Sequence, residues 1–443
     1  MAAGGTEPGT AAESGTALDP DAARARMVDE LRGRGRLGSQ DLADAFRAVP
    51  RHLFLPELAA ADAYADQAFV IKTDDAGLPL SSSSQPMMMA IMLEQLEIVP
   101  GDRVLEVGTG TGYNAAVMAR LAGDRGLVVS VDIDPGLVAR ARANLDAARP
   151  GAGAAEVIAM CGDGGFGAPD YAPYDKVIVT AGAWDLAPQW LAQLGPGGRI
   201  VVPLSVRGSQ LSVAFERADG HWRSRSVSPC GFIRMTGAFG GPELFVPVGP
   251  QPGMLVQTDD GRPLDTVALY AALTGPGADV PTGVRVAGVG RLFEADLWIA
   301  VMLPDLVRIM ITGPMRRHPV LRKVPFGALA DPAPGSSFAV AGLRPADMSE
   351  SAWGADGDER SHEQLRERLR SEFEVAVRGF GPGGAGLAGR LASQVAAWEQ
   401  AGRPSAAGVR LEAYPPGTAV AEAPGQVVLG RRYTRMALTW PSS

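Results

Sequence analysis

Residues 103–134, RVLEVGTGTGYNAAVMARLAGDRGLVVSVDID, constrain the fold more tightly than any other stretch of the chain. Positions 103–107 are short, apolar and β-branched, as a strand buried on both faces requires. Gly108-Thr109-Gly110-Thr111-Gly112 follows, a turn in which a ligand can approach backbone where a Cβ would collide. Residues 113–121 then carry Ala115, Ala116, Val117, Ala119 and Leu121 at helical spacing, and residues 128–131 read as the next strand. Asp132 closes that strand, where a carboxylate accepts hydrogen bonds from ribose hydroxyls. The unit therefore predicts a nucleoside-containing cofactor.

A single position decides which one. A dinucleotide fingerprint, G-x-G-x-x-G, needs its last glycine at 113, where this chain has Tyr113. The pattern is instead E-x-G-x-G-x-G headed by Glu106, and it is similar to motif I of class I S-adenosylmethionine-dependent methyltransferases. S-adenosylmethionine has no pyrophosphate, so this turn need not aim a helix N-terminus at phosphate oxygens.

The rest of the chain is organised around that unit. Residues 1–20 are rich in Ala, Gly, Thr, Glu and Asp and predict disorder, not a signal or transit peptide. Residues 21–31 and 40–49 read as helices. Residues 72–85 read as an irregular polar stretch ending in Ser81-Ser82-Ser83-Ser84, by composition a flexible linker. It leads straight into an apolar helix over 87–96, which makes Ser84 a candidate N-cap. Strands are expected at 157–160, 176–180 and 199–204, with a helix over 186–194 stopped by Gly195-Pro196-Gly197-Gly198. Residues 211–216 alternate like an antiparallel strand. Alternating strands and helices predict an α/β, mainly parallel, doubly wound sheet that binds ligands at the carboxyl ends of its strands. Gly108, Asp132, Asp163 and Thr180 all fall at such ends.

From about residue 250 the pattern changes. Strand-like runs at 284–286, 297–302, 307–311 and 338–340 are separated by Pro- and Gly-rich connections. A charged helix is expected over 356–377 and a second helix over 387–398, and strands at 409–414 and 433–440 close the chain. This reads as an α+β domain without a visible catalytic constellation.

Composition excludes several classes. With 41 basic and 49 acidic residues the net charge is −8, which leaves no general nucleic-acid footprint. The cluster Arg316, Arg317, His318, Arg322 and Lys323 reads as a solvated loop. Cys161 and Cys230 are too few and too far apart for a disulfide framework. His52, His221, His318 and His362 lack metal-ligand spacing, so no metal is expected. No apolar run reaches the length of a membrane span, and a cytoplasmic protein is expected.

Several segments converge on one family. Val49-Pro50-Arg51-His52-Leu53-Phe54-Leu55-Pro56, Ala63-Tyr64-Ala65-Asp66, Ser84-Gln85-Pro86, the glycine turn, and Gly162-Asp163-Gly164 resemble protein-L-isoaspartate O-methyltransferases in order and spacing. Tyr174-Asp175-Lys176-Val177-Ile178-Val179-Thr180 and Leu194-Gly195-Pro196-Gly197-Gly198-Arg199 continue the resemblance, which covers roughly residues 40–235. It implies a class I, Rossmann-like methyltransferase fold over 101–248. A helical region with the substrate loop over 21–100 precedes it, and the α+β domain over 250–443 follows.

The resemblance also implies roles. S-adenosylmethionine, with S-adenosylhomocysteine as product, would be held by Glu106, Gly108, Thr109, Gly110, Thr111, Gly112, Asn114, Asp132, Ile133, Asp163 and Gly164. Within that set Asp132 would hold the ribose and Asp163 would accept from the adenine amino group. Ser82, Ser83, Ser84, Gln85 and Thr180 would bind the substrate carboxylate, with Ser83, Ser84 and Thr180 at the catalytic centre. Duller readings stand beside these: Glu106 braces the glycine loop, Asp163 caps a turn, His52 is structural, and Asp74 and Asp75 are solvated.

Two features depart from the compact family pattern. The link from Ile71 to Ser84 is longer and carries Asp74 and Asp75, and a long tail follows the methyltransferase segment. Such a tail resembles the aspartate methyltransferases of lanthipeptide and ATP-grasp-peptide (graspetide) natural-product clusters. Those act on a ribosomal precursor peptide and lead to aspartimide (succinimide) or isoaspartate. Three functions follow: esterification of an aspartate in such a precursor, general isoaspartate repair, or non-catalytic peptide binding on a methyltransferase fold. The tail from about residue 250, together with Lys72 to Ser84, is expected to form the peptide-recognition surface, and removal of the tail is expected to spare cofactor binding while abolishing methylation of the precursor. The chemistry itself needs no strong base, because a carboxylate is already ionised at neutral pH.

Overall fold

The computed structural model describes residues 19–75, 77–148, 153–250, 253–287, 290–311, 327–330, 337–345, 372–421, 423 and 425–440. The basic cluster at 316–323, most of the charged segment 356–377 and the first eighteen residues lie outside them. The chain divides into two compact units, residues 1–102 with 109–161, and residues 103–108 with 162–443.

In the first unit, α1 (Pro20–Gly33) and α2 (Gln40–Ala48) are capped by Asp19 and Ser39, which accept from the amides of Asp21 and Leu42. They bury Met27, Val28, Leu31, Leu42 and Phe46. Residues 72–85 are not the expected irregular linker. They contribute to a hairpin, β1 (Phe69–Thr73) and β2 (Pro79–Ser83), antiparallel with Phe69 opposite Ser83 and Val70 opposite Ser82. Turn chemistry makes the hairpin: Asp74 Oδ1 accepts from Leu78 N at 2.7 Å, and Gly77 adopts φ 78°.

The apolar helix α3 (Pro86–Leu96) starts directly after β2. Its N-cap is Gln85, not Ser84. Asp66 Oδ1 accepts from Met87 N at 2.9 Å, so a distant carboxylate meets the need that Ser84 was expected to meet. The glycine loop leads into α4 (Tyr113–Ala122), followed by β4 (Leu127–Asp132), α5 (Pro135–Ala148) and β5 (Glu156–Cys161). β4 and β5 pair in parallel from Leu127↔Glu156 to Asp132↔Cys161.

In the second unit, β3 (Arg103–Val107), β6 (Tyr174–Val179) and β7 (Leu194–Val206) pair in parallel, as the sequence pattern predicts. Helix α6 (Pro188–Gln193) is shorter than expected, because β7 already begins at Leu194. Antiparallel strands β8 (Ser209–Ala218) and β9 (His221–Cys230) continue the sheet.

The region after Cys230 builds a second sheet. Its strands are β10 (Leu244–Pro247), β11 (Met254–Thr258), β12 (Gly277–Ala287), β13 (Leu306–Ile311), β14 (Gly327–Ala330), β15 (Phe338–Pro345) and β16 (Glu372–Phe380), in the order β10-β11-β13-β14-β15-β16-β12. Alternation along β15 shows how it is covered. Phe338 and Val340 pack with Leu269 and Leu273 of α7 (Thr266–Thr274). Ala339 and Ala341 pack with Ile299 of α8 (Gly290–Met302) and with Leu391 and Val395 of α9 (Gly384–Gln400). Two expectations change here. Residues 297–302 are helical, since a short apolar run does not separate helix from strand by period. Residues 372–377 belong to a strand, with Phe373, Val375 and Val377 at every second position facing one core.

The tail does not end in that second sheet. Strands β17 (Arg410–Tyr414), β18 (Gln426–Gly430) and β19 (Arg435–Thr439) return to the first sheet of this unit, giving β18-β19-β17-β9-β8-β7-β6-β3. The junction is Glu412↔Arg223 and Ala413↔Trp222, and Leu411, Ala413, Met436 and Leu438 are buried. The strand edge of β9 is thus paired by residues that the sequence pattern assigned to a separate domain. Among the described residues no helix is long and apolar enough to cross a membrane.

Candidate active site

The glycine loop is held from below by one carboxylate in the first unit. Asp132 Oδ2 accepts from Thr109 N at 2.9 Å and Gly110 N at 3.1 Å, while Oδ1 accepts from Asp134 N at 3.0 Å. Thr109 Oγ1 pairs with Ser130 Oγ at 2.7 Å, and Asn144 Nδ2 donates to the carbonyl of Thr111 at 3.0 Å. Gly110 and Gly112 adopt φ 53° and 85°. A Cβ on Gly112 would press on Ala141 of α5 at 3.2 Å, so close packing as well as φ requires glycine there. Asn114 stands in the first turn of α4 with its amide 4.0 Å from Met118 Sδ, and Ile133 is exposed after β4.

The serine run reaches this loop. A Cβ on Gly110 would lie 3.7 Å from the carbonyl oxygen of Ser82. Ser83 is buried, and Ser82, Ser84 and Gln85 are half-buried. Gln85 Nε2 donates to the carbonyl of Asp66 at 3.2 Å. The hairpin is also tied to the turn after β4 by an ion pair between Lys72 and Asp134. The Lys72 ammonium holds the Asp134 carboxyl below its ordinary range.

Two residues with positioning roles are missed by the sequence argument. Arg51 is fully buried, donating through Nε to the carbonyl of Ala63 and through Nη2 to the carbonyl of Ser84, both at 2.8 Å. Its guanidinium also lies 4.9 Å from the ring centroid of Tyr113. Burial pushes it below the usual arginine value. Asp66 is the second, through Met87 N and an ion pair with Arg34 at 2.9 Å. The available signal was a charged residue inside the apolar run 49–56, which only a buried hydrogen-bonding task explains. His52 pairs with Tyr64 Oη at 2.8 Å, in keeping with a structural role.

In the second unit, Gly108 has φ 101°, and a Cβ there would overlap Thr180 Oγ1. Thr180 Oγ1 donates toward the carbonyls of Gly108 at 2.8 Å and Val107 at 3.0 Å. Glu106 is fully buried on β3, in register with Ile178. Asp163 does cap a turn. Its Oδ1 accepts from Gly165 N at 2.9 Å, ahead of the buried Gly164, and its Oδ2 accepts from Ala238 N at 2.7 Å. Gly237 packs against the same carboxylate, where a Cβ would come within 2.5 Å.

Strand, glycine loop, helix and acid-terminated strand define a class I methyltransferase. Residues 22–239 match the family model described as Protein-L-isoaspartate(D-aspartate) O-methyltransferase. Protein-L-isoaspartate O-methyltransferase 2 of Archaeoglobus fulgidus is 40% identical over 226 residues, 50% of this chain and 97% of the relative. The corresponding enzyme of Methanoregula boonei is 42% identical over 218 residues, 49% of this chain and 94% of the relative. A solved protein-L-isoaspartate O-methyltransferase, 24% identical, aligns over 88% of this chain and 96% of its own with a TM-score of 0.46. The chain belongs to the protein-L-isoaspartate O-methyltransferase family and is a protein carboxyl O-methyltransferase.

Proposed function

We propose that the chain transfers the methyl group of S-adenosylmethionine to an aspartate-derived carboxylate in a peptide. The observation that carries this reading is the seating of the serine strand on the glycine loop, Ser82 against Gly110, with Arg51 holding the carbonyl of Ser84. Loop glycines with positive φ above a carboxylate suit a cofactor that lies close to backbone. In this reading Gly108 to Gly112, with Glu106, Asn114 and Ile133, line the cofactor site. Asp132 accepts three amides and, with about four lone-pair sites, keeps one for a ribose hydroxyl. Asp163 and Gly164 serve the adenine.

When bound, S-adenosylmethionine supplies a methyl group on a sulfonium sulfur. Ser83, Ser84 and Thr180 orient the acceptor, assisted by Ser82 and Gln85. Hydroxyls suit the task, because they hold a carboxylate by hydrogen bonds without stabilising it as strongly as a guanidinium would. Carboxylate and sulfonium both lose their charge in the transfer, so a drier pocket favours it, and the burial of Ser83 serves that. The ester then loses methanol as the neighbouring backbone nitrogen attacks, which leaves a succinimide.

A second reading makes the acceptor one aspartate of a ribosomal precursor peptide instead of any damaged segment. The return of β17 to β19 to the sheet of β6 and β7 favours it, since that places tail residues in the same hydrogen-bonded layer as Thr180. Mass spectrometry after incubation with a short isoaspartyl peptide, an aspartyl peptide and a candidate precursor separates the readings. Ester on the precursor alone supports tailoring, and equal turnover of the short isoaspartyl peptide supports repair. No ester on any of the three overturns carboxyl transfer.

A further inference from the structure

The segment that follows β6 is a strap held at nearly every residue. Thr180 N donates to the carbonyl of Val107, Gly182 N to that of Ile233 and Ala183 N to that of Pro203, each at 2.8 Å. Trp184 Nε1 donates to the carbonyl of Asp259 at 3.2 Å. Thr180 stands at one end of this strap and Asp185 at the other, and every bond named here lies within the second unit.

The Asp185 end is held by the loop between β18 and β19. Asp185 is buried, and its Oδ2 accepts from Tyr433 N and its Oδ1 from Thr434 Oγ1, both at 2.6 Å. Leu186 N adds a bond to Oδ1 at 2.8 Å. From the same loop, the Arg431 guanidinium lies 4.3 Å from the ring centroid of Trp184. It donates to Asp259 Oδ2 at 3.1 Å and to the carbonyl of Ser205 at 2.9 Å. Burial pushes the Asp185 carboxyl up, and the Thr434 hydroxyl with the amides of Tyr433 and Leu186 pulls it back. Two of those three donors belong to the loop. A carboxylate that loses them stays buried at a cost in solvation or swings out and takes the strap with it. Thr180 and Asp185 fall inside the stretch 22–239 that matches the family, whereas Arg431, Tyr433 and Thr434 fall outside it. The family stretch is therefore braced here by residues beyond it.

We propose that Asp185 is a positioning residue for methyl transfer, through which the loop 431–434 sets the strap and the strap sets Thr180 toward the acceptor. The proposal rests on the carboxyl-transfer reading above, in which Thr180 orients the acceptor. An acceptor held out of line is bound as before and reacts more slowly, so the loss falls on kcat and not on KM. Support of the fold alone would instead reduce the number of folded sites and leave the rate at each one unchanged.

Thr434→Val removes the hydroxyl and keeps the branched shape. The full-length variant is compared with the unaltered protein on whichever of the three peptides above the latter esterifies, followed by mass spectrometry. Folded sites are counted by calorimetric titration with S-adenosylhomocysteine. Stoichiometry and affinity for S-adenosylhomocysteine should be unchanged, with kcat per site lowered about tenfold and KM within about twofold. Thr434→Ser, which keeps the hydroxyl, should retain the parental kcat. Asp185→Asn puts an NH2 where an oxygen accepted, and should behave as Thr434→Val does. In a Thr180→Val background Thr434→Val should lower kcat by less than about a further twofold, because both act through one group.

Parental kcat per site in folded Thr434→Val or Asp185→Asn overturns the proposal, and so does a loss confined to KM. A loss in Thr434→Ser as large as in Thr434→Val, or an undiminished loss in the Thr180→Val background, overturns it as well. Loss of folded sites in both Thr434→Val and Asp185→Asn assigns the bond to folding and sinks the positioning role. In all these cases ester still forms on the unaltered protein's peptide, and the carboxyl-transfer reading stands. Ester on none of the three peptides overturns that reading, and the proposal with it.

Discussion

Arg51 donates through Nη2 to the carbonyl of Ser84 at 2.8 Å, and its guanidinium is held as well by Nε to the carbonyl of Ala63 at 2.8 Å and by Nη1 to Met89 Sδ at 3.6 Å. The backbone at the end of the serine strand is therefore set by a residue with no exposed surface. Arg51→Met removes these donors and leaves two buried carbonyls unpaired at about 1–3 kcal/mol each. The expected outcome is a large fall in unfolding temperature. At temperatures where the variant stays folded, methylation should drop by about tenfold, the rate equivalent of about 1.4 kcal/mol in the barrier. Parental methylation in the folded variant would detach Arg51 from the serine strand.

Asp132 carries the glycine loop on one carboxylate. Asp132→Ala removes the acceptor of Thr109 N and Gly110 N, and with it a charged hydrogen-bond partner worth about 1.5–3 kcal/mol. Calorimetry should show cofactor affinity weakened by at least about tenfold. Unchanged affinity removes Asp132 from the cofactor site.

Gly108 and Thr180 share one small volume. Gly108→Ala places a methyl group on Thr180 Oγ1 and forces a side chain into φ 101°. Backbone strain alone costs about 1–3 kcal/mol. Thr180→Ala in the same chain relieves the overlap and not the φ, so the double variant should recover part of the stability lost, measured by denaturant unfolding.

Glu243 is buried, with Oε2 lacking a hydrogen-bond partner among the described residues, and burial pushes its carboxyl above the ordinary range. Burial acts in the same direction on Asp185. A raised folded-state value means that the folded protein holds the proton more tightly than the unfolded chain does. Its stabilisation is complete below the unfolded carboxylate value and is lost as pH rises through the folded one. Unfolding temperature should therefore fall from mildly acidic pH toward neutral. Glu243→Gln should flatten that slope and raise the unfolding temperature at neutral pH. A steeper slope in the variant contradicts the assignment.

Ending the chain before Arg410 tests the expectation of a separable tail. It unpairs the edge of β9 and strips Asp185 of Tyr433 N and Thr434 Oγ1. A buried carboxylate left with fewer partners is destabilising. The truncated protein should aggregate or lose cofactor binding, contrary to a docking module whose removal spares it. Parental cofactor affinity in a soluble truncation restores the module.

The sequence by itself determined the methyltransferase core, because what specifies that core is local. Positive φ at Gly108, Gly110 and Gly112, the apolar run 103–107 and the acid at the end of β4 are written in neighbouring residues. The family and the glycine loop were legible for that reason. Composition misread the serine run as a linker, because the hairpin depends on one aspartate closing a turn and on a register that shifts between Val70 and Lys72. The roles of Arg51 and Asp66 were hidden for a related cause, since the carbonyl and amide they satisfy lie 33 and 21 residues away. Only the tertiary structure decided where the tail goes. Asp185 and Thr434 are 249 residues apart, and no periodicity encodes their bond. It depends on which strand edge is left unpaired once the core has formed, and that is a property of the assembled sheet.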